Sequence, residues 1–223
     1  MALLFLVRHG QASFGAADYD RLSDLGRKQS RWLGEYFRER GIVFTRVLAG
    51  TLTRQQATAT EILAAMGPAA AVTVHAGLDE YPGEALYAAH TGGRDVLAHQ
   101  RGDYRDYWRT MKAALNAWAI DELPGVPETW SEFGARTGAA LAAACRGLAR
   151  DECALAVSSG GAIGRALIDI IDSPGATAIE FNLRFRNTGM CEIIAGSDSM
   201  HLVTFNALPH LDAPGRRDAI TFA

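Results

Sequence analysis

The chain has 223 residues, and 22 Lys and Arg against 25 Asp and Glu leave a formal charge of −3. Hydrophobic residues make up 48% and the mean hydropathy is −0.01, values that exclude a disordered chain and give no sign of a membrane-spanning one. No basic field would draw the protein to nucleic acid or to an anionic membrane, so any anion site is local.

The length fits one large domain, residues 1–223, with an insert over roughly residues 77–127. Residues 2–7 form an apolar run too short for a helix and read as a buried central strand. Leu25, Gln29, Trp32, Leu33, Tyr36 and Phe37 share a helical face between a Ser23 cap and a Gly41 stop. A strand over 46–50 runs into a helix from Leu52 to Met66, capped by Thr51 and ended by Gly67 and Pro68, and residues 71–75 suggest a third strand. From Gly77 to about Gly125 the pattern loosens, leaving one aromatic-rich helix over 104–119. Thr129 and Glu132 form a capping box that opens a helix to about Arg150. Residues 153–157 read as a strand, Ser158-Ser159-Gly160-Gly161 as a tight loop, and 162–172 as a helix. Residues 190–195 and 201–205 close as a strand pair. Alternating helices and strands predict an α/β fold, a three-layer α/β/α sandwich with a mostly parallel central sheet and a helical insert over the site.

Cys145, Cys153 and Cys191 are odd in number and show no CxxC spacing, so neither a disulfide framework nor a zinc shell is expected. Buried thiols in a reducing compartment are the reading. The apolar start is too short for a signal peptide, and other apolar runs break well before 18 residues, so a cytoplasmic protein without membrane contact is expected.

Function in such sheets collects where strands end. Three places stand out. Arg8-His9-Gly10-Gln11 follows the first strand and sets a guanidinium beside an imidazole, with Gly10 allowing close approach to a ligand. Thr51 to Arg54 opens the second helix. Ser158 to Gly161 is a strand-to-helix turn whose N–H groups suit an anion. Each is weak alone; together, two arginines, an imidazole and a glycine turn are what a phosphate site requires.

On these residues, with Leu22-Ser23-Asp24-Leu25-Gly26-Arg27-Lys28-Gln29, Thr58-Ala59 and Leu78-Asp79-Glu80, the sequence resembles the histidine phosphatases, or phosphoglycerate mutase-like superfamily, over nearly its whole length. The resemblance implies that His9 is the nucleophile that takes up a phosphoryl group and that Arg8 and Arg54 clamp its oxygens. It also implies that Glu80 gives the leaving oxygen its proton, with Asp79 as second candidate. Neither a cofactor nor a metal is implied.

Two departures matter. Where the family carries a second histidine this chain has Ser159, as in a subgroup with Ser-Gly-Gly at this loop. A hydroxyl donates one hydrogen bond but adds no charge, and loss of such a donor costs on the order of 10²–10³ in rate. Gly15 stands where many relatives place a phosphate-binding asparagine, a role open to Ser13 or Gln11. The expected phosphate ligands are thus Arg8, Arg54, Ser159, Gly160 and Gln11.

The leading expectation is a phosphatase for a small phosphomonoester, with self-association left open. One alternative is a phosphoryl-binding protein with little turnover. A mutase-like phosphotransferase is less favoured, because Tyr81-Pro82-Gly83-Glu84-Ala85-Leu86 replaces the segment that marks mutases. A serine hydrolase fails, since Ala156 and Val157 stand where a nucleophile elbow needs glycine. Tyr104, Tyr107 and Trp108 interleave with Arg101, Arg105 and Arg109, but the helical spacing favours packing on the core over nucleic-acid binding. His75, His90, His99, His201 and His210 match no motif.

Overall fold

A computed structural model describes residues 1–13, 20–67, 70–93, 104–196 and 199–222. Gly15, His99 and Arg101 lie outside the described residues.

Six strands form one sheet: β1 Ala2–Arg8, β2 Phe44–Ala49, β3 Val72–Val74, β4 Cys153–Ser158, β5 Met190–Ala195 and β6 Met200–Ala207, in the order β3-β2-β4-β1-β5-β6. The ladders from β3 through β1 are parallel, and β5 and β6 add antiparallel strands on the far side. Helices cover both faces, which is why β1 and β4 read as continuous apolar runs and not as alternating ones. Alternation along β1 sends Phe5 and Val7 to one face, where they pack with Leu33, Phe37 and Ile62 of helices α1 (Asp24–Glu39) and α2 (Thr53–Met66). Leu4 and Leu6 face the other way, onto Leu141, Ile163 and Leu167 of α5 (Trp130–Cys145) and α6 (Gly160–Ile170).

The sandwich, the capping box of Thr129 and Glu132, and the Ser23 cap are all present. Four expectations need correction. Trp32 and Tyr36 of α1 are only half-buried, because the helix turns Gly26, Ser30 and Gly34 inward. These small residues let it lie close on α2, where a Cβ at Gly34 would meet the Ile62 carbonyl at 2.3 Å. Helix α5 stops at Cys145 and not near Arg150, since Gly147 takes φ 70°. The tight loop at 158–161 does not exist: Ser158 ends β4 and α6 starts at Gly160. Finally, α3 (Gly83–Thr91) and α7 (Gly175–Arg184) are helices that the sequence reading left out. Both open directly after a proline, Pro82 and Pro174, at a glycine, so a start looked like a break.

Helix α4 (Tyr104–Ala119) lies against α3 and α7 around an aromatic cluster. Trp118, only 1% exposed, meets Tyr81, Trp130 and Phe133 at centroid distances of 6.1, 5.0 and 5.2 Å. Tyr107 and Trp108 pack into this cluster, while Arg109 is exposed and pairs with Asp106. All three cysteines are free thiols; Cys191 is buried and pushed up to about 12, whereas Cys145 and Cys153 keep partial exposure. No helix among the described residues is long and apolar enough to cross a membrane.

Candidate active site

The site lies at the C-terminal edge of β1, β2 and β4, where the strands run into helix N-termini. Strand alternation separates two sequence neighbours. Arg8 reaches toward the α7 side, where its guanidinium donates to the Phe185 carbonyl, and His9 turns toward α2. All three central side chains are buried, with Arg8 at 5%, His9 at 4% and Arg54 at 9% exposure.

His9 is held in one tautomer. Its Nδ1 lies 2.8 Å from the Gly10 carbonyl, which can only accept, so Nδ1 carries the hydrogen and Nε2 keeps a lone pair. That lone pair accepts from Arg54 Nε–H at 3.1 Å. Burial, then Arg8 and then Arg54, hold the imidazole well below its ordinary range, so it is neutral near pH 7. The backbone is pinned too: the His9 N–H donates to Ser158 O at 2.9 Å, and its carbonyl accepts from Asn187 Nδ2 and Thr188 N.

Arg54 is aimed by Asp20, which accepts from Arg54 Nη1 at 2.8 Å and from the Thr53 N–H at 2.7 Å. Asp20 therefore caps α2. Thr51, expected in that role, instead gives its N–H and hydroxyl to the Asp79 carboxylate, each at 2.6 Å. Both Asp79 oxygens are thus tied to Thr51, beside the start of α2. The Glu80 carboxyl accepts from the N–H groups of Tyr81 and Gly161, both at 3.1 Å. Burial pushes its pKa up against the opposing pull of those bonds and of Arg54 and Arg8. Gly161 is needed at this point, for a Cβ there would stand 2.3 Å from Glu80 Oε1.

Other expected ligands are placed differently. Gly10 serves packing and not a ligand: a Cβ on it would strike the Gly26 carbonyl at 2.5 Å. Gln11 turns away to α1, its side-chain oxygen accepting from the Ser23 hydroxyl at 2.8 Å. Ser159 is fully buried, and its Oγ accepts from Gln55 Nε2 at 2.8 Å, while the same nitrogen donates to the Leu78 carbonyl. Gln55 Oε1 is a buried acceptor without a hydrogen-bond donor. Gly160 opens α6 within reach of the Arg8 guanidinium, where a Cβ would lie 3.7 Å from Arg8 Cζ. His210, far along the chain, donates from Nε2 to Thr188 Oγ1 at 2.9 Å and so stands behind the His9 carbonyl. Its burial, with Arg216 nearby, lowers it to about 3.

Sequence reasoning passed over Asp20, Gln55 and Asn182, the last of which donates to the Tyr81 hydroxyl at 3.0 Å. Only Asp20 had a local signal, as an acid shortly before a helix cap in a segment rich in site residues. Among the described residues, no group of three or more His, Cys, Asp and Glu side chains gathers to hold a metal ion.

Solved structures share this architecture. The chain is 18% identical to YhfR of Bacillus stearothermophilus, with a TM-score of 0.69 over 94% of this chain and 99% of that one. Phosphoserine phosphatase of Entamoeba histolytica is also 18% identical, with a TM-score of 0.66 over 95% and 100%. A mycobacterial glucosyl-3-phosphoglycerate phosphatase is 22% identical, with a TM-score of 0.65 over 94% and 99%. No curated protein matches the chain. Residues 4–208, which span the site-bearing strands from β1 to β6, match the Histidine phosphatase superfamily (branch 1), and the chain belongs to that superfamily.

Proposed function

We propose that the protein is a phosphomonoesterase that passes the phosphoryl group of a small substrate through His9 to water. The observation that carries this reading is the state of His9: a buried neutral imidazole whose Nε2 lone pair accepts from Arg54 at 3.1 Å, with the charge of Arg8 acting on the same ring. Such a lone pair is a nucleophile at neutral pH, and guanidiniums stay charged while the transferring oxygens gather charge.

In the first step Nε2 forms a bond to phosphorus as the bond to the ester oxygen breaks, with the Nδ1 hydrogen still held by Gly10 O. Arg8 and Arg54 balance the equatorial oxygens. Glu80, in the protonated form that burial favours, hands its proton to the departing alkoxide. The resulting carboxylate then takes a proton from the water that attacks phosphorus. The N–P bond breaks, phosphate leaves, and His9 and Glu80 return to their starting states.

A small substrate is supported by the names of the phosphoserine and glucosyl-3-phosphoglycerate phosphatases that share the fold. In this reading residues 1–223 form a single domain, and the segment of roughly 77–127 selects the leaving group through Tyr81 and the aromatic cluster. One observation favours a second reading, a phosphoryl-binding protein with little turnover: the Ser159 hydroxyl is sealed against Gln55. Release of inorganic phosphate from p-nitrophenyl phosphate decides between them. An enzyme turns over and loses that activity in His9→Ala; a binder shows no turnover in either protein while vanadate still binds.

A further inference from the structure

We propose that Arg136 of α5 is a positioning residue for Glu80, gripping the backbone of the loop that carries it so that the carboxyl stays in the site. The inference rests on reading Glu80 as the proton donor.

Residues 79–82 belong to neither a strand nor a helix, following a short 3-10 turn at Ala76–Leu78. Among the described residues, two backbone N–H groups orient the carboxyl of Glu80, those of Tyr81 and Gly161. Its main chain is anchored from α5. Arg136 Nη1 donates to the carbonyls of Gly77 at 3.2 Å and Asp79 at 2.7 Å, and Nη2 donates to the carbonyl of Glu80 itself at 3.3 Å. Nε and Nη2 also donate to the two oxygens of Glu128, at 2.6 and 3.0 Å. Every N–H of the guanidinium is thereby engaged, in a fork that an ammonium cannot reproduce.

Arg136 is itself fixed. The capping box of Thr129 and Glu132 starts α5, and the guanidinium lies 4.7 Å from the Phe133 ring centroid. Glu128 is held in turn, its carbonyl accepting from Trp118 Nε1 at 2.8 Å. The position of the acid thus depends on a chain of contacts from α4 through Glu128 and Arg136. Among the described residues, Arg136 makes no hydrogen bond to Arg8, His9 or Arg54. The charged and titratable groups that do face the Glu80 carboxyl are Arg8 from β1, Arg54 from α2 and the adjacent Tyr81 hydroxyl, while α6 presents the Gly161 N–H.

Two substrates read proton donation separately. p-Nitrophenolate leaves readily without a proton, whereas the alkoxide of glycerol phosphate needs one. Because hydrolysis of phosphohistidine is common to both substrates, the split is read on the first step: in single turnover, Glu80→Gln should slow the arrival of the phosphoryl group on His9 by about 10²–10⁴ with glycerol phosphate and far less with p-nitrophenyl phosphate. Arg136→Ala should show the same split at about 10- to 100-fold, the scale of a displaced catalytic group. Its alkaline limb in kcat should move to lower pH as water reaches the carboxyl, and vanadate inhibition should stay at the wild-type level. Arg136→Lys should fall between wild type and Arg136→Ala, and it carries the comparison if the alanine variant does not fold. Equal loss on both substrates with an unmoved limb, while Glu80→Gln shows the split, would overturn the role of Arg136 alone. No split in Glu80→Gln would remove the acid reading, and the inference with it.

Discussion

His9 stands at the end of a strand paired on both sides, β4 to one side and β5 to the other, whereas Glu80 stands in a loop supported by no ladder. The nucleophile's geometry is thus written into the sheet: strand register sets the backbone, Gly10 O sets the tautomer, and Asp20 sets the arginine. On the acid side, the Glu80 carboxyl rests on two backbone N–H groups, and the loop and wall around it are held by side chains far along the chain, Arg136 on the carbonyls and Gln55 on Ser159. A sheet-built wall resists single substitutions outside its own residues. A side-chain-built wall is open to them.

The largest effect expected from breaking this contrast is on the nucleophile side. Arg54→Ala removes both a phosphate clamp and the donor to Nε2, so kcat/KM should fall by about 10²–10³, with vanadate inhibition weakened in parallel. Steady-state kinetics with p-nitrophenyl phosphate reads both. Asp20→Asn should fall in the same direction by less, because Arg54 remains but loses its aim.

The second effect sharpens the acid side. Ser159→His alone should lower activity, since the imidazole would enter space filled by the Gln55 amide, and overpacking of a sealed site is unfavourable. Gln55→Ala combined with Ser159→His should recover activity to above the single variant by about tenfold or more, the worth of a restored donor. A double-mutant cycle on kcat/KM checks this, and additive effects would show that the two positions do not share the space.

The smallest effect concerns stability. His9 and His210 are both depressed in the folded state, so as pH falls below about 6.5 the unfolded chain takes up protons first. Stability is then lost with falling pH, for His210 across the window from its ordinary value of 6.5 down to about 3. His210→Gln keeps a donor for Thr188 without a titrating ring and should lower the midpoint of acid unfolding followed by circular dichroism.

This contrast also explains what could be read from the sequence. The β1 run, the Ser23 cap, the capping box, the strand-end Arg8 and His9 and the helix-start Arg54 are local patterns, and local patterns survive without tertiary knowledge. Glu80 was legible only through family resemblance, because nothing near it distinguishes it from Asp79; the Thr51 bonds that occupy Asp79 are a tertiary fact. Gln55 sits in a helix like any polar residue, and its partner lies 104 positions away. Helices α3 and α7 were hidden by proline and glycine at their first turns, where these residues are tolerated since the early N–H groups have no intrahelical partner. Ser159 misled in the opposite direction. Its place in a motif suggests a phosphate ligand, whereas nothing in the local sequence shows that its oxygen accepts from Gln55 in a buried position.

The most direct test of the account is to trap the phosphoryl group. Glu80→Gln, mixed with labelled p-nitrophenyl phosphate and quenched in alkali, should accumulate one acid-labile phosphate, which peptide mapping places on His9 and phosphorus NMR places on Nε2. Absence of any covalent label during turnover, or label recovered on another residue such as Ser159, would contradict it.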